Sequence, residues 1–368
     1  IYQKTHFRLV TPYLEHPPLF GLVAGSYAVL TGAKDMFHVD LQHIRGLAVI
    51  LGLLSICMVF ILGKELYGEE IGLLASFLYA IIPSIVVGSR LVENENFFIP
   101  FFLLALYFAS RYIKTKKRVY FAISVVICGL LTLAKVPWAT AVIAIFLIFL
   151  ALQKYKHAFL FVGLVLPIFA LFFVWGMYWD KNLFFSLWGL QLNRYDITFN
   201  SIFALFTYPI LTDRLFVDGW IYFGWFAMFL LMAKDFKKHL FILLPFLAYF
   251  AVFVYAIPNE PGHGWYRYPF FPFLVFGLSV FLKEYFNKNY LLTFFFLLFT
   301  GLTMLQESWA QALGFSFFVF RVSLGFYALA IVPLFLPKAK KIGTWFSYAS
   351  LASIFLLTLW SVFSYNEQ

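Results

Sequence analysis

Arg45-Gly-Leu-Ala-Val-Ile-Leu-Gly-Leu-Leu-Ser-Ile-Cys-Met-Val-Phe-Ile-Leu-Gly-Lys64 carries no charge between its two end cations. A run of this length crosses a bilayer as one helix, because about 20 residues at roughly 1.5 Å each match a hydrocarbon core about 30 Å thick. Similar runs fill the rest of the chain. Besides 45–63 they lie near 71–88, 97–113, 119–135, 137–153, 157–178, 215–233, 239–257, 268–283, 290–306, 315–336 and 343–364. The reading is an all-α polytopic membrane protein with about twelve transmembrane helices. Composition agrees: the 368 residues are 63% hydrophobic, 23% aromatic and 12% charged, whereas a soluble domain lies nearer half apolar and a quarter charged. Cys57 and Cys128 fall inside apolar runs and frame no disulfide scaffold. No CxxC, HExxH, Walker or GxGxxG pattern occurs, which argues against nucleotide hydrolysis and soluble-cofactor chemistry.

The net charge of +10 reports orientation here, not a nucleic-acid partner. Sixteen of the 27 Lys and Arg residues sit in one alternating set of connections, including Lys64, Arg111 to Arg118, Lys154, Lys237, Lys283 and Lys340. From residue 46 onward the other set holds seven: Arg90, Lys135, Lys181, Arg194, Arg214, Arg267 and Arg321. The positive-inside rule makes the first set cytoplasmic. The second is then outside, with Glu93, Glu95, Asp180, Asp196, Asp213, Asp218 and Glu260. The whole chain, 1–368, reads as one membrane-embedded domain with its chemistry on the outer face. Residues 1–44 read as an outer loop in which Leu19–Gly32, too short to span, lies along the interface. The connection 180–214, with Trp188, Asn193 and several charges, reads as an interfacial flap. A span and outer loop upstream of Ile1 are expected, for thirteen spans in all.

Four outer clusters carry ionisable groups. Tyr13-Leu-Glu-His-Pro-Pro-Leu-Phe20 uses Pro17 and Pro18 to hold Glu15 and His16 stiffly at a helix entrance. Ser89-Arg-Leu-Val-Glu-Asn-Glu-Asn96 separates two spans, and Leu131-Thr-Leu-Ala-Lys135 ends another just before Pro137. The fourth is Pro258-Asn-Glu-Pro-Gly-His263-Gly-Trp-Tyr-Arg267-Tyr-Pro269. Charges at membrane depth are costly and mark function by default, against the plainer readings of a snorkelling lysine or an interfacial arginine.

The order of these motifs resembles the C superfamily of membrane glycosyltransferases, which includes protein O-mannosyltransferases and lipid A aminoarabinose transferases. The match runs through Glu15-His16-Pro17-Pro18-Leu19, Arg90 with Glu95, Leu131 to Lys135, and Tyr266-Arg267-Tyr268-Pro269. The resemblance implies a polyprenyl-phosphate sugar donor and a lipid, glycan or protein acceptor. In that family the main base is an Asp of the first outer loop. No acidic residue lies between Ile1 and Leu14, so the base is expected upstream of Ile1.

Transfer from such a donor expels a phosphate, a stable anion that needs cations and no general acid. A carboxylate must take the proton of the acceptor hydroxyl. Arg90, Lys135 and Arg267 are the candidates for the donor phosphate, Glu15 and Glu95 the catalytic carboxylates. His16, Asn96, His263, Tyr266 and Tyr268 are candidate substrate contacts. A single displacement would invert the anomeric carbon. No cofactor is required, although the outer histidines His6, His16, His38, His43 and His263, with Glu15, could hold a divalent metal, Glu15 and His263 being the leading pair. The expected place is a bacterial or archaeal cytoplasmic membrane with the site facing outward. Two rival classes stay open: a transporter or flippase for a lipid-linked or anionic substrate, which would equally use intramembrane charge, and a catalytically inactive relative.

Overall fold

The computed structural model describes residues 14–35, 38–193, 202, 205–206, 218–256, 264–305 and 316–364. They form helices and turns with no strand among them. In chain order the helices are α1 (Leu19–Leu30), α2 (Leu41–Tyr67), α3 (Glu69–Ile81), α4 (Pro83–Gly88), α5 (Asn94–Thr115), α6 (Arg118–Thr132), α7 (Thr140–Ala151) and α8 (Tyr155–Leu192). They continue with α9 (Gly219–Asp235), α10 (Leu240–Ala256), α11 (Phe271–Glu284), α12 (Tyr290–Leu305), α13 (Phe317–Ala328), α14 (Val332–Phe335) and α15 (Lys340–Ser364). The stretches Leu41–Tyr67, Asn94–Thr115, Tyr155–Leu192, Phe317–Phe335 and Pro337–Ser364 are long and apolar enough to cross a bilayer. The protein is an integral membrane protein. Several of the remaining expected spans are shorter apolar helices, and some are broken by proline. The run 71–88 divides at Pro83 into α3 and α4, because proline cannot continue the hydrogen-bond ladder but opens a new helix well.

Consecutive helices pack as hairpins: α2 on α3, α5 on α6, α7 on α8. The α2–α3 pair is drawn together at two glycines. A Cβ on Gly63 would lie 2.9 Å from the Gly72 Cα, and one on Gly72 only 2.8 Å from the Lys64 backbone nitrogen. Without a hydrophobic drive between helices in lipid, such small-residue contacts are what let backbones approach.

Antiparallel hairpins sort the connections into two ends. One end holds the entrance of α1, the 82–94 connection, the 133–139 turn and the 264–270 turn. The other holds the lysine-rich turns. α1 is about 18 Å long by its twelve residues, well short of the bilayer core. Both its ends touch the same, acidic end of the bundle: Leu19 N–H donates to Leu133 O (2.9 Å) and the Thr31 hydroxyl donates to His43 O (2.7 Å). α1 is thus anchored at that end through both of its termini.

The expected loop from 180 begins differently. α8 runs on to Leu192 with a break at Asp180 (φ −160°, ψ 100°). The Asp180 carboxylate accepts the Leu183 N–H (3.0 Å) and so restarts the helix. The aromatic content that suggested a flap instead forms a packed cluster, in which Phe184 and Trp188 meet Phe172, Phe173 and Leu14. Arg194, Asp196, Asp213 and Arg214 lie outside the described residues.

Candidate active site

The acidic end brings three of the four sequence clusters together around the first turn of α5. Its N-terminal residues Glu93 to Asn96 are fixed by the backbone around them. The Asn96 amide donates to Gly88 O (2.9 Å) and Leu91 O (2.8 Å), closing the 88–96 segment on itself. The Asn94 amide donates to Ala134 O (3.0 Å), and the Trp138 indole N–H donates to Asn94 Oδ1 (2.7 Å). These bonds tie α5 to the 3₁₀ turn Val136–Ala139, which Pro137 opens.

The turn delivers Lys135 to Glu95. Lys135 Nζ stands 2.7 Å from Glu95 Oε1, with Glu95 fully buried and the lysine side chain 13% exposed. Tyr266 covers the ammonium, its ring centroid 4.6 Å away, with the Trp138 ring at 5.4 Å. Trp138 is stacked on Phe98 at 4.2 Å, and Tyr249 holds the Tyr266 carbonyl through its hydroxyl (2.7 Å). The second Glu95 oxygen, Oε2, is buried without a hydrogen-bond partner among the described residues. An ammonium has three donors, and a buried carboxylate oxygen wants one. The pair is thus charge-balanced but not saturated, as expected of a site that receives a polar ligand.

Glu93, which the sequence reading left among the general acidic residues, belongs to the same centre. It is half-buried, and burial first, then the neighbouring Glu95 charge, pushes its carboxyl up to about 7, against an opposing pull from Lys135. A carboxylate poised near neutral pH is suited to proton transfer. The Glu-x-Glu spacing at a helix entrance was the available signal. Its burial was not legible.

Other candidates fall as follows. Glu15 accepts from the Gln191 side-chain amide, so the extended α8 reaches back to the Pro-Pro entrance. Arg267 is buried on the turn Gly264–Phe270, and burial lowers its guanidinium to about 10 against the raising effect of Tyr222 and Tyr268. The Tyr268 ring lies on Gly88, where a Cβ would stand 2.7 Å from the ring Cζ. Arg90 is on the other side of the 88–96 segment, lining a separate cavity with Arg45. Two of the proposed metal ligands have local work. His43 completes the capping box of α2 with Asp40, and His38 pairs with Asp35 at 2.8 Å. No cluster of three metal-ligating side chains occurs among the described residues. His6 and His263 lie outside them.

Asp218 was also missed as a structural element. Fully buried, it accepts from Trp220 N and Ile221 N at the start of α9 and from Ser84 N (3.1 Å) near the start of α4. One carboxylate thereby caps two helices whose free N–H groups would otherwise lie unsatisfied.

Residues 15–179 match the family of dolichyl-phosphate-mannose-protein mannosyltransferases. The fold is similar to that of ArnT from Cupriavidus metallidurans bound to undecaprenyl phosphate, at a TM-score of 0.59 and 17% identity over 95% of this chain. Over most of its length the chain thus shares the ArnT fold. The apo state of the same ArnT aligns at a TM-score of 0.56 and 15% identity, also over 95% of this chain. In both alignments the chain spans 66% of the ArnT length. The apo oligosaccharyltransferase of Archaeoglobus fulgidus aligns at 0.49 and 13% identity, over 94% of this chain and 50% of its own. A search of curated proteins gives no match. The matched stretch 15–179 holds Glu15, Glu93, Glu95 and Lys135, while Tyr266 meets Lys135 from beyond it.

Proposed function

We propose that this membrane protein is a glycosyltransferase, moving a sugar from a polyprenyl-phosphate donor to an acceptor hydroxyl at the acidic end of its bundle. The observation that carries the reading is the buried Glu95–Lys135 pair beneath Tyr266, with an unpartnered Glu95 oxygen and Glu93 beside it. A purely structural ion pair gains little over apolar packing and is costly to desolvate. One kept incompletely satisfied at a helix entrance suits a ligand. The undecaprenyl phosphate bound to ArnT supports a polyprenyl carrier.

In this reading the acceptor oxygen attacks the anomeric carbon as the bond from that carbon to the phosphate oxygen breaks. The phosphate leaves as a monoester and the configuration inverts. Lys135 uses its remaining N–H donors, and Arg267 its planar fork, to hold the negative charge that grows on the leaving phosphate. Glu95 fixes the lysine, and its free oxygen accepts a sugar hydroxyl. Among the described residues Glu93 is the group suited to take the acceptor proton. Glu15, His16, Tyr266 and Tyr268 line the approach, and Asn96 holds the loop rather than the ligand. A divalent metal at Glu15 is an optional addition. The acidic end faces outward from a bacterial or archaeal cytoplasmic membrane, across twelve spans.

The test is thermal unfolding of the purified protein with polyprenyl-phosphate sugars, for wild type and Lys135→Ala. A ligand that binds only the folded state raises its apparent stability. Stabilisation that disappears in the variant is expected. Indifference of the wild type to every polyprenyl phosphate would remove the donor assignment.

A further inference from the structure

α5 runs from Asn94 to Thr115, about 33 Å by its 22 residues, close to the thickness of one hydrocarbon core. Its first turn carries Glu95, and its last turn enters a cluster of cations. Between Glu95 and Asp180 the chain has no acidic residue and eight Lys and Arg. Two turns of that stretch lie together, because the His157 ring at the start of α8 sits 5.7 Å from Tyr112 and 6.3 Å from Phe121. One turn supplies Lys116, Lys117 and Arg118, the other Lys154 and Lys156. Glu65 takes Lys114 at 2.9 Å and Arg111 at 3.4 Å. The five cations of the two turns form no ion pair among the described residues. Lys64 and Lys283, at the same end of the bundle, are paired with Glu69 and Glu70.

Three local preferences are broken at this one place. Lys116 has a φ of 59°, a left-handed conformation that glycine or asparagine adopts more readily. α6 and α8 start on Lys117 and Lys154, with no acidic residue in either first turn and no side-chain cap, although the positive end of a helix dipole disfavours cations. The Lys116 ammonium also meets the Lys154 side chain. That contact first, then desolvation and the like charge, holds its pKa below the usual lysine value. A chain that gathers cations against its own local preferences is arranged for an anion. Exposed apolar side chains fringe the cluster, with Val119 at 56%, Tyr155 at 57% and Phe159 at 66% exposed. A soluble anion has no use for that fringe, whereas a headgroup with acyl chains beside it does.

We propose that these two turns form one docking site for the phosphate headgroup of an anionic phospholipid in the leaflet at the lysine-rich end. The five cations attract the headgroup, and Val119, Tyr155 and Phe159 meet the first methylenes of its chains. The site stands one hydrocarbon core away from Glu95 and Lys135, and it does not rest on the transferase reading.

The experiment uses the delipidated full chain, with phosphatidylglycerol, phosphatidylcholine and glycerol phosphate as probes, read by native mass spectrometry and thermal unfolding. Phosphatidylglycerol should bind and raise the unfolding temperature more than phosphatidylcholine does, and the difference should shrink with added salt. Removing one cation should weaken binding about fivefold, and Lys116→Gln with Lys154→Gln about 25-fold, while Lys154→Arg keeps it. Lys116→Gly separates fold from ligand. Relieved of a left-handed lysine and of the facing charge, the lipid-free variant should unfold no earlier than wild type, yet gain less from phosphatidylglycerol. Equal binding of phosphatidylcholine would overturn the proposal, as would undiminished phosphatidylglycerol affinity in the double glutamine variant. An equal loss in Lys283→Gln would show diffuse surface charge in place of a site. Displacement of the lipid by glycerol phosphate at matching concentration would assign the site to soluble phosphate and overturn the lipid.

Discussion

The two ends of the helix bundle use the same chemical pair, lysine with glutamate, to opposite purposes. At the lysine-rich end Lys283 meets Glu70 at 2.6 Å with side chains 38% and 75% exposed, and Lys64 meets Glu69 at 3.3 Å in the open. At the acidic end Lys135 meets Glu95 at 2.7 Å with the carboxylate wholly buried. Distance does not separate them; solvent does. Exposed pairs are screened and add little. The buried pair has given up hydration on both partners and cannot lose one without stranding the other. The comparison teaches that this fold keeps its costly electrostatics at the candidate site and its cheap electrostatics where the chain only turns.

The largest effect should come from breaking the buried pair. Lys135→Ala should abolish transfer and cost roughly 3–5 kcal/mol in stability, because Glu95 is left buried without its partner. Lys135→Met with Glu95→Gln should restore much of the stability and none of the activity, as read by unfolding and a transfer assay. If the double variant regains turnover, the pair is only structural.

Glu93→Gln should lower kcat by about 10²–10⁴-fold if Glu93 is the base. Wild-type kcat/KM should rise with pH through about 7, and the variant should lose that limb. The linkage sign is fixed by the raised carboxyl. The native state holds this proton more tightly than the unfolded state, so the group favours folding at low pH. That contribution declines as pH climbs through the native value near 7. Glu93→Gln should flatten this part of the stability profile as well.

Asp218→Ala should cost about 3 kcal/mol, since two helix starts lose their acceptor in a buried setting. It should leave the pH profile of transfer unchanged, which separates a capping carboxylate from a reacting one. Smallest of all, Lys283→Ala should change stability by less than about 1 kcal/mol and turnover not at all. A large effect there would undo the contrast between the two ends.

Much of the fold was legible because membrane burial is written in long apolar runs. The superfamily resemblance was legible from motif order. The interfacial reading of helix α1 came from comparing its length with the bilayer, and in the structure both its ends meet the acidic end of the bundle. The extension of α8 to Leu192 was not, since its aromatic residues suit either a flap or a packed helix, and only the break at Asp180 with the cluster around Phe184 selects the latter. In the site, Glu95, Lys135 and Tyr266 were nominated singly. Glu93, Asn94 and Trp138 were not, because their importance lies in neighbours 40 or more residues away or in burial.

By itself the sequence determined that the chain is all-helical and membrane-embedded, and it placed the polar motifs on one set of connections, because hydropathy and charge are properties of local composition. Only the tertiary structure decided which motifs meet. It paired Lys135 with Glu95 across 40 positions of chain, set Tyr266 over the ammonium, and sent Arg90 to a different cavity. Partner choice between distant charges depends on helix packing, and packing depends on where small residues such as Gly63, Gly72 and Gly88 allow backbones and rings to close.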